Sequence, residues 1–163
     1  MSVAPPDVCR LHDLAAARRL TLGAVFMILV QAGIGMATNL YVANPAHHSG
    51  ANPSDYFTGS AQSIGWSVSH GAIVLAIHSV LGFALVLLVI NLSIRIAALH
   101  RRALNVWTVL AALFVVGAGF NGASFLDFNN NISSLLMSLL AFAAIACYGV
   151  VLLLLSDRPS ARV

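Results

Sequence analysis

Four long apolar runs, residues 20–42, 69–95, 104–126 and 132–155, are separated by polar segments. Each run exceeds the roughly 20 residues that a helix rising 1.5 Å per residue needs to cross a bilayer. The pattern predicts an all-α, polytopic membrane protein. Its spans should form an up-down-up-down four-helix bundle, because the connections after the second and third runs are short enough to make sequential helices antiparallel neighbours. On this reading residues 20–156 form one transmembrane domain, flanked by cytoplasmic tails over 1–19 and 157–163. The first tail should be partly disordered, with Asp13 to Arg18 as a short helix on the membrane surface. Its Arg18-Arg19 pair followed by an apolar run imitates a signal peptide, but the run is longer than the 7 to 15 residues of a cleaved apolar region. It reads as an anchored first span.

Between the first two runs the chain turns polar. ANPAHHSGANPSDYFTGSAQSIGWSV, residues 43–68, is the one long connection and has no evident apolar period, so it predicts an irregular loop with a binding or lid role. DFNNN, Asp127 to Asn131, predicts a tight turn.

Composition agrees with the pattern. Hydrophobic residues make up 60% of the chain and charged ones 8%, against about 25% charged in an ordinary soluble domain, so the surplus apolar surface calls for lipid. All basic charge is arginine: Arg10, Arg18 and Arg19 precede the first run, Arg95, Arg101 and Arg102 lie between the second and third, and Arg158 and Arg162 follow the fourth. Every one falls on the same side, which by the positive-inside rule puts both termini in the cytoplasm of a cell whose inner membrane this chain would cross several times. The basic balance thus reports topology and gives no reason to expect nucleic acid.

Chemistry is confined to a few polar groups inside the apolar runs. His78 lies nine residues in from Ser69, about 13 Å deep at 1.5 Å per residue, where an ionisable side chain must face protein, water or a cofactor. Gln31 falls at nearly the same depth, which makes it a candidate partner. The half of the bundle away from the arginines also holds Met36, Asn39, His70, Asn121, Ser124, Ser134, Met137 and Ser138, whereas the arginine-side half holds little beyond Asn91, Thr108 and Cys147.

Two readings of His78 compete. In one it makes a structural hydrogen bond to Gln31 or to a backbone carbonyl, and the chain binds no cofactor. In the other its imidazole ligates a b-type haem, with Gln31, Met36, Met137 and Asn121 lining the site. The second axial ligand would then come from Met36, Met137, His47, His48 or another subunit, or stay open. A separate set, His47, His48, Asp55 and His70, offers imidazole and carboxylate donors suited to copper or zinc, although its spacing follows no established ligand pattern.

Function therefore divides into three classes: a haem or redox protein, a small transport or metal-handling protein, and an accessory subunit of a larger membrane complex. No nucleophile and base stand at usable spacing, which argues against autonomous enzyme activity. Asp55 and Asp127 both fall in predicted loops, which argues against a proton-coupled carrier. The small-residue face GAGFNG, residues 117–122, is a candidate surface for pairing with a second copy.

At NLYV (Asn39 to Val42), AIHSVLG (Ala76 to Gly82) and NGASF (Asn121 to Phe125), the chain resembles small uncharacterised four-span bacterial membrane proteins. The resemblance covers the four spans and implies the fold, with no activity attached. Di-haem cytochrome b561, with paired histidines on several spans, shares only the architecture.

Overall fold

The computed structural model describes residues 6–156, whose regular elements are all helices. The first five residues and the 157–163 tail, with Arg158 and Arg162, lie outside the described residues. Five helices follow in order: α1 (Pro6–Tyr41), α2 (Tyr56–Ser69), α3 (Ile73–Ala97), α4 (Arg102–Phe128) and α5 (Asn131–Ser156). Four of them carry segments long and apolar enough to cross a membrane, at Asp13–Tyr41, Ile73–Ala97, Arg102–Phe128 and Asn131–Ser156. Their outward faces are studded with exposed Leu, Ile, Val and Phe side chains, Phe26, Phe83, Ile94 and Leu153 among them, the surface a bilayer solvates and water does not. The chain is a multi-pass membrane protein.

Each long helix touches two others, α1–α3–α4–α5 closing back onto α1, and no diagonal pair touches among the described residues. The most extensive contact is α4 against α5. Their turn is built from asparagine: Asn129 takes the left-handed conformation at φ 49° and closes α4 through its N–H to the Phe125 carbonyl, 2.8 Å. Asn130 Oδ1 then accepts from the Ile132 amide at 2.9 Å. Asn tolerates that backbone region better than other side chains. Above the turn, Leu140 and Met137 of α5 close onto Gly117 and Gly122 of α4, where a Cβ would lie 3.3 Å from the Leu140 Cδ1 and from the Met137 Sδ. Two glycines of the 117–122 face are therefore occupied by α5 of the same chain. Gly119 has nothing within 4 Å of its Cβ position.

The apolar core belongs to the arginine-bearing half of the bundle. Val89, Leu92, Ile96, Leu104 and Val151 are among its fully enclosed members, and Tyr148 is completely buried with them.

Two elements depart from the sequence reading. The amino-terminal segment read as partly disordered is helical from Pro6 and continuous with the first span. The segment read as an irregular loop contains α2, fourteen residues long. Asp55 starts that helix from an extended conformation, with its carboxylate accepting from the Thr58 amide at 2.8 Å. The face that α2 turns inward is Gly59, Ser60, Ser63 and Ser67, while Phe57, Ile64 and Val68 stay exposed. Helical period is present, but its buried positions are small and hydroxylated, so no apolar stripe announces them.

Candidate functional site

The intramembrane polar pair forms where α1 packs on α3. The Gln31 amide donates to the His78 carbonyl oxygen at 2.8 Å and lies 3.4 Å from the His78 Nε2. Glycines make this approach feasible. A Cβ on Gly35 would sit 2.8 Å from the His78 Cε1, and one on Gly82 would sit 2.9 Å from the Gln31 Nε2. Helices thus meet at backbone distance, with an imidazole and a carboxamide filling the space between them. The Gln31 Oε1 and the His78 Nδ1 are buried without a hydrogen-bond partner. Because α3 begins at Ile73 and not at Ser69, His78 stands five residues into its helix, about 7.5 Å of rise, while its partner Gln31 stands ten residues, about 15 Å of rise, from the Tyr41 end of α1.

The other residues proposed around a haem do not gather at His78. Met36 points outward and is 66% exposed, Met137 packs on Gly122, and the Asn121 Nδ2 donates back to the Gly117 carbonyl at 2.9 Å within α4. The four residues of the copper or zinc reading are similarly dispersed. His48 stacks on Trp66, ring centroids 4.5 Å apart, with its Nε2 3.1 Å from the Leu126 carbonyl. Asp55 caps α2; His70, the C-cap of α2, bonds through its Nδ1 to the neighbouring Ser69 hydroxyl at 2.7 Å. His47 is exposed. Among the described residues no three His, Cys, Asp or Glu side chains come together as a metal set.

A polar cluster that the sequence spacing does not reveal lies at the end of the bundle away from the arginines. Asp127, read as part of a turn, belongs to the last turn of α4 and is only 2% exposed. Ser60 of α2 donates to its Oδ2 at 2.7 Å, while its Oδ1 has no partner. Beside it the 44–52 segment satisfies carbonyls that the end of α4 leaves open: the Asn44 Nδ2 and the His48 Nε2 both meet the Leu126 oxygen, and the Asn52 amide donates to the Asp127 oxygen at 2.9 Å. Tyr56 adds a hydroxyl bond to the Phe120 carbonyl at 2.9 Å, and the Ser67 and Ser79 hydroxyls meet at 2.8 Å. Loop and α2 together cap one end of the bundle. Hydrogen bonds from Thr58, from its side chain first and then its amide, hold the exposed Asp55 carboxyl below the ordinary value of 3.8.

In the arginine-side half, the Asn105 Oδ1, the Thr108 Oγ1 and the Tyr148 Oη are buried without partners. Asn105 and Tyr148 escape notice in the sequence because each sits singly within an apolar run.

No family model, curated protein or solved structure matches the chain.

Proposed function

We propose that this protein is a multi-pass component of a bacterial inner membrane that acts as an accessory subunit of a larger assembly, without a reactive centre of its own. In this reading the four spans run up-down-up-down, both termini face the cytoplasm, and the α2 cap faces outward. The arginine bias supports that orientation. The observation that carries the functional reading is the Gln31–His78 contact. The carboxamide donates to the His78 backbone and crowds its Nε2, and Gly35 presses on the ring edge, so the intramembrane imidazole is used in joining α1 to α3. A haem bound through Nε2 would have to displace the Gln31 amide and part the two helices.

A second reading, haem on His78, is favoured by one observation, the unpartnered His78 Nδ1. Absorption spectroscopy and metal analysis of protein purified in mild detergent from haem-replete cells separate the two. The accessory reading expects a colourless, metal-free preparation. A Soret band that shifts on reduction and vanishes in His78→Ala would overturn it.

A further inference from the structure

At the arginine-bearing end a cavity of about 390 Å³ opens between α1 and α3, walled by Ala15, Ala16, Arg19 and Leu20 from one helix and Asn91 and Arg95 from the other. It is an open notch and not an enclosed pocket: Ala15, Arg19, Asn91 and Arg95 in its wall are all exposed. Residues 15, 16, 19 and 20 share one stripe of α1, and 91 and 95 share one of α3, so two guanidinium-bearing positions face a common gap. The two alanines keep that gap open.

The Arg95 Nε donates to the Asn91 Oδ1 at 2.9 Å, and its four other N–H donors have no partner among the described residues. Among the described residues no acidic side chain walls the cavity. Asp13, the described acid nearest in sequence, precedes Arg19 by six residues; that spacing turns it about 240° around α1, onto a different face. Asp55 and Asp127 belong to the cap at the other end. Two like charges directed at one cavity repel, and an anion between them removes the repulsion.

We propose that this notch binds the phosphate of an anionic phospholipid. Arg19 lies in the opening turns of the first membrane-crossing segment and Arg95 in the closing turn of the second, so the notch stands at the membrane boundary, where phosphodiesters are concentrated. Leu20 in its wall and the lipid-facing Ile90 and Ile94 continue toward the apolar belt, where acyl chains would follow. A zwitterionic lipid would bring a third cation to the two arginines, so selectivity for a net negative headgroup follows. The inference rests on the chain spanning a bilayer and is independent of the accessory-subunit reading.

The test is native mass spectrometry of the full chain in mild detergent with added phosphatidylglycerol, phosphatidylcholine or inorganic phosphate. Phosphatidylglycerol should be retained in preference to phosphatidylcholine. Each of Arg19→Gln and Arg95→Gln should weaken that binding roughly fivefold, and the double variant roughly 30-fold, at unchanged helical content by circular dichroism. Arg101→Gln/Arg102→Gln, which removes as much charge from the same end, should leave it within about twofold. Equal retention of the two lipids, or equal losses in the two double variants, would reduce the arginines to ordinary interfacial anchors and overturn the proposal. Displacement of the lipid by millimolar inorganic phosphate would assign the site to a free anion and overturn it too. Should the double variant fail to fold, the two single variants carry the same comparison.

Discussion

Adding one methyl group to α1 should have opposite outcomes at two positions a couple of residues apart. In Gly35→Ala the new Cβ meets the His78 Cε1 at 2.8 Å and its Nδ1 at 3.4 Å, whereas in Gly33→Ala it meets nothing within 4 Å. Carbon atoms prefer about 3.5 to 4.0 Å, so the imidazole must retreat by close to an ångström. It cannot do so freely, because Gln31 lies against its Nε2 and bonds its carbonyl. Overpacking of this kind costs about 1–3 kcal/mol. Gly33→Ala removes a flexible residue from an exposed helix position and should lie between neutral and about 1 kcal/mol stabilising. Reversible unfolding in mixed detergent micelles, followed by Trp66 and Trp107 fluorescence, measures both. In a His78→Ala background the obstacle is gone, and the Gly35→Ala penalty should fall to within about 0.5 kcal/mol of zero. Equal effects of the two glycine substitutions, or a Gly35→Ala penalty that survives without the imidazole, would refute the register of α1 on α3.

Further expectations concern the cap and the core. Ser60→Ala leaves the buried Asp127 carboxylate without its hydroxyl donor and should destabilise by about 1–3 kcal/mol, with faster amide exchange along α2. Asp55→Ala should speed exchange at the Thr58 amide at every pH above about 4, where the wild-type carboxylate is charged. In the wild type the same protection should hold from neutrality down to about pH 4: the folded carboxyl titrates below its ordinary 3.8, so its stabilisation is present above 3.8 and is lost only as pH falls further. A protection factor that fell between pH 7 and pH 5 would contradict the cap. Tyr148→Phe removes a buried hydroxyl that has no partner, so thermal denaturation should show no loss of stability and a gain of up to about 1 kcal/mol.

The membrane spans were legible because lipid imposes a coarse requirement, length and apolarity, that the sequence displays without any partner being known. The meeting of Gln31 with His78 was legible for a related reason, since two polar groups at similar depth in adjacent spans have few other partners. The start of the second span's helix was not: Ser69 ends α2 and Ile73 starts α3, and nothing in the apolar pattern marks that break. Helix α2 itself was hidden because Gly59, Ser60, Ser63 and Ser67 carry its buried period with small polar residues, whose fit depends on the close approach of α3 and α4. Asp127 was misplaced for a comparable reason. DFNNN has turn chemistry from Asn129 onward, yet α4 continues through Phe128 because Ser60 and the 44–52 segment satisfy its last polar groups. The dispersal of His47, His48, Asp55 and His70 could not be read from spacing, since each found a local partner or solvent before it found another member of the set.

Cysteine labelling in intact cells tests the proposed topology most directly, a four-span bundle with the arginine end inside and the α2 cap outside. In a background without Cys9 and Cys147, Asn52→Cys lies in the 44–52 segment beside α2 and Arg101→Cys in the turn between α3 and α4. A membrane-impermeant maleimide should modify Asn52→Cys in intact cells and Arg101→Cys only after permeabilisation. Labelling of both positions from the same side, or the reverse pattern, would contradict it.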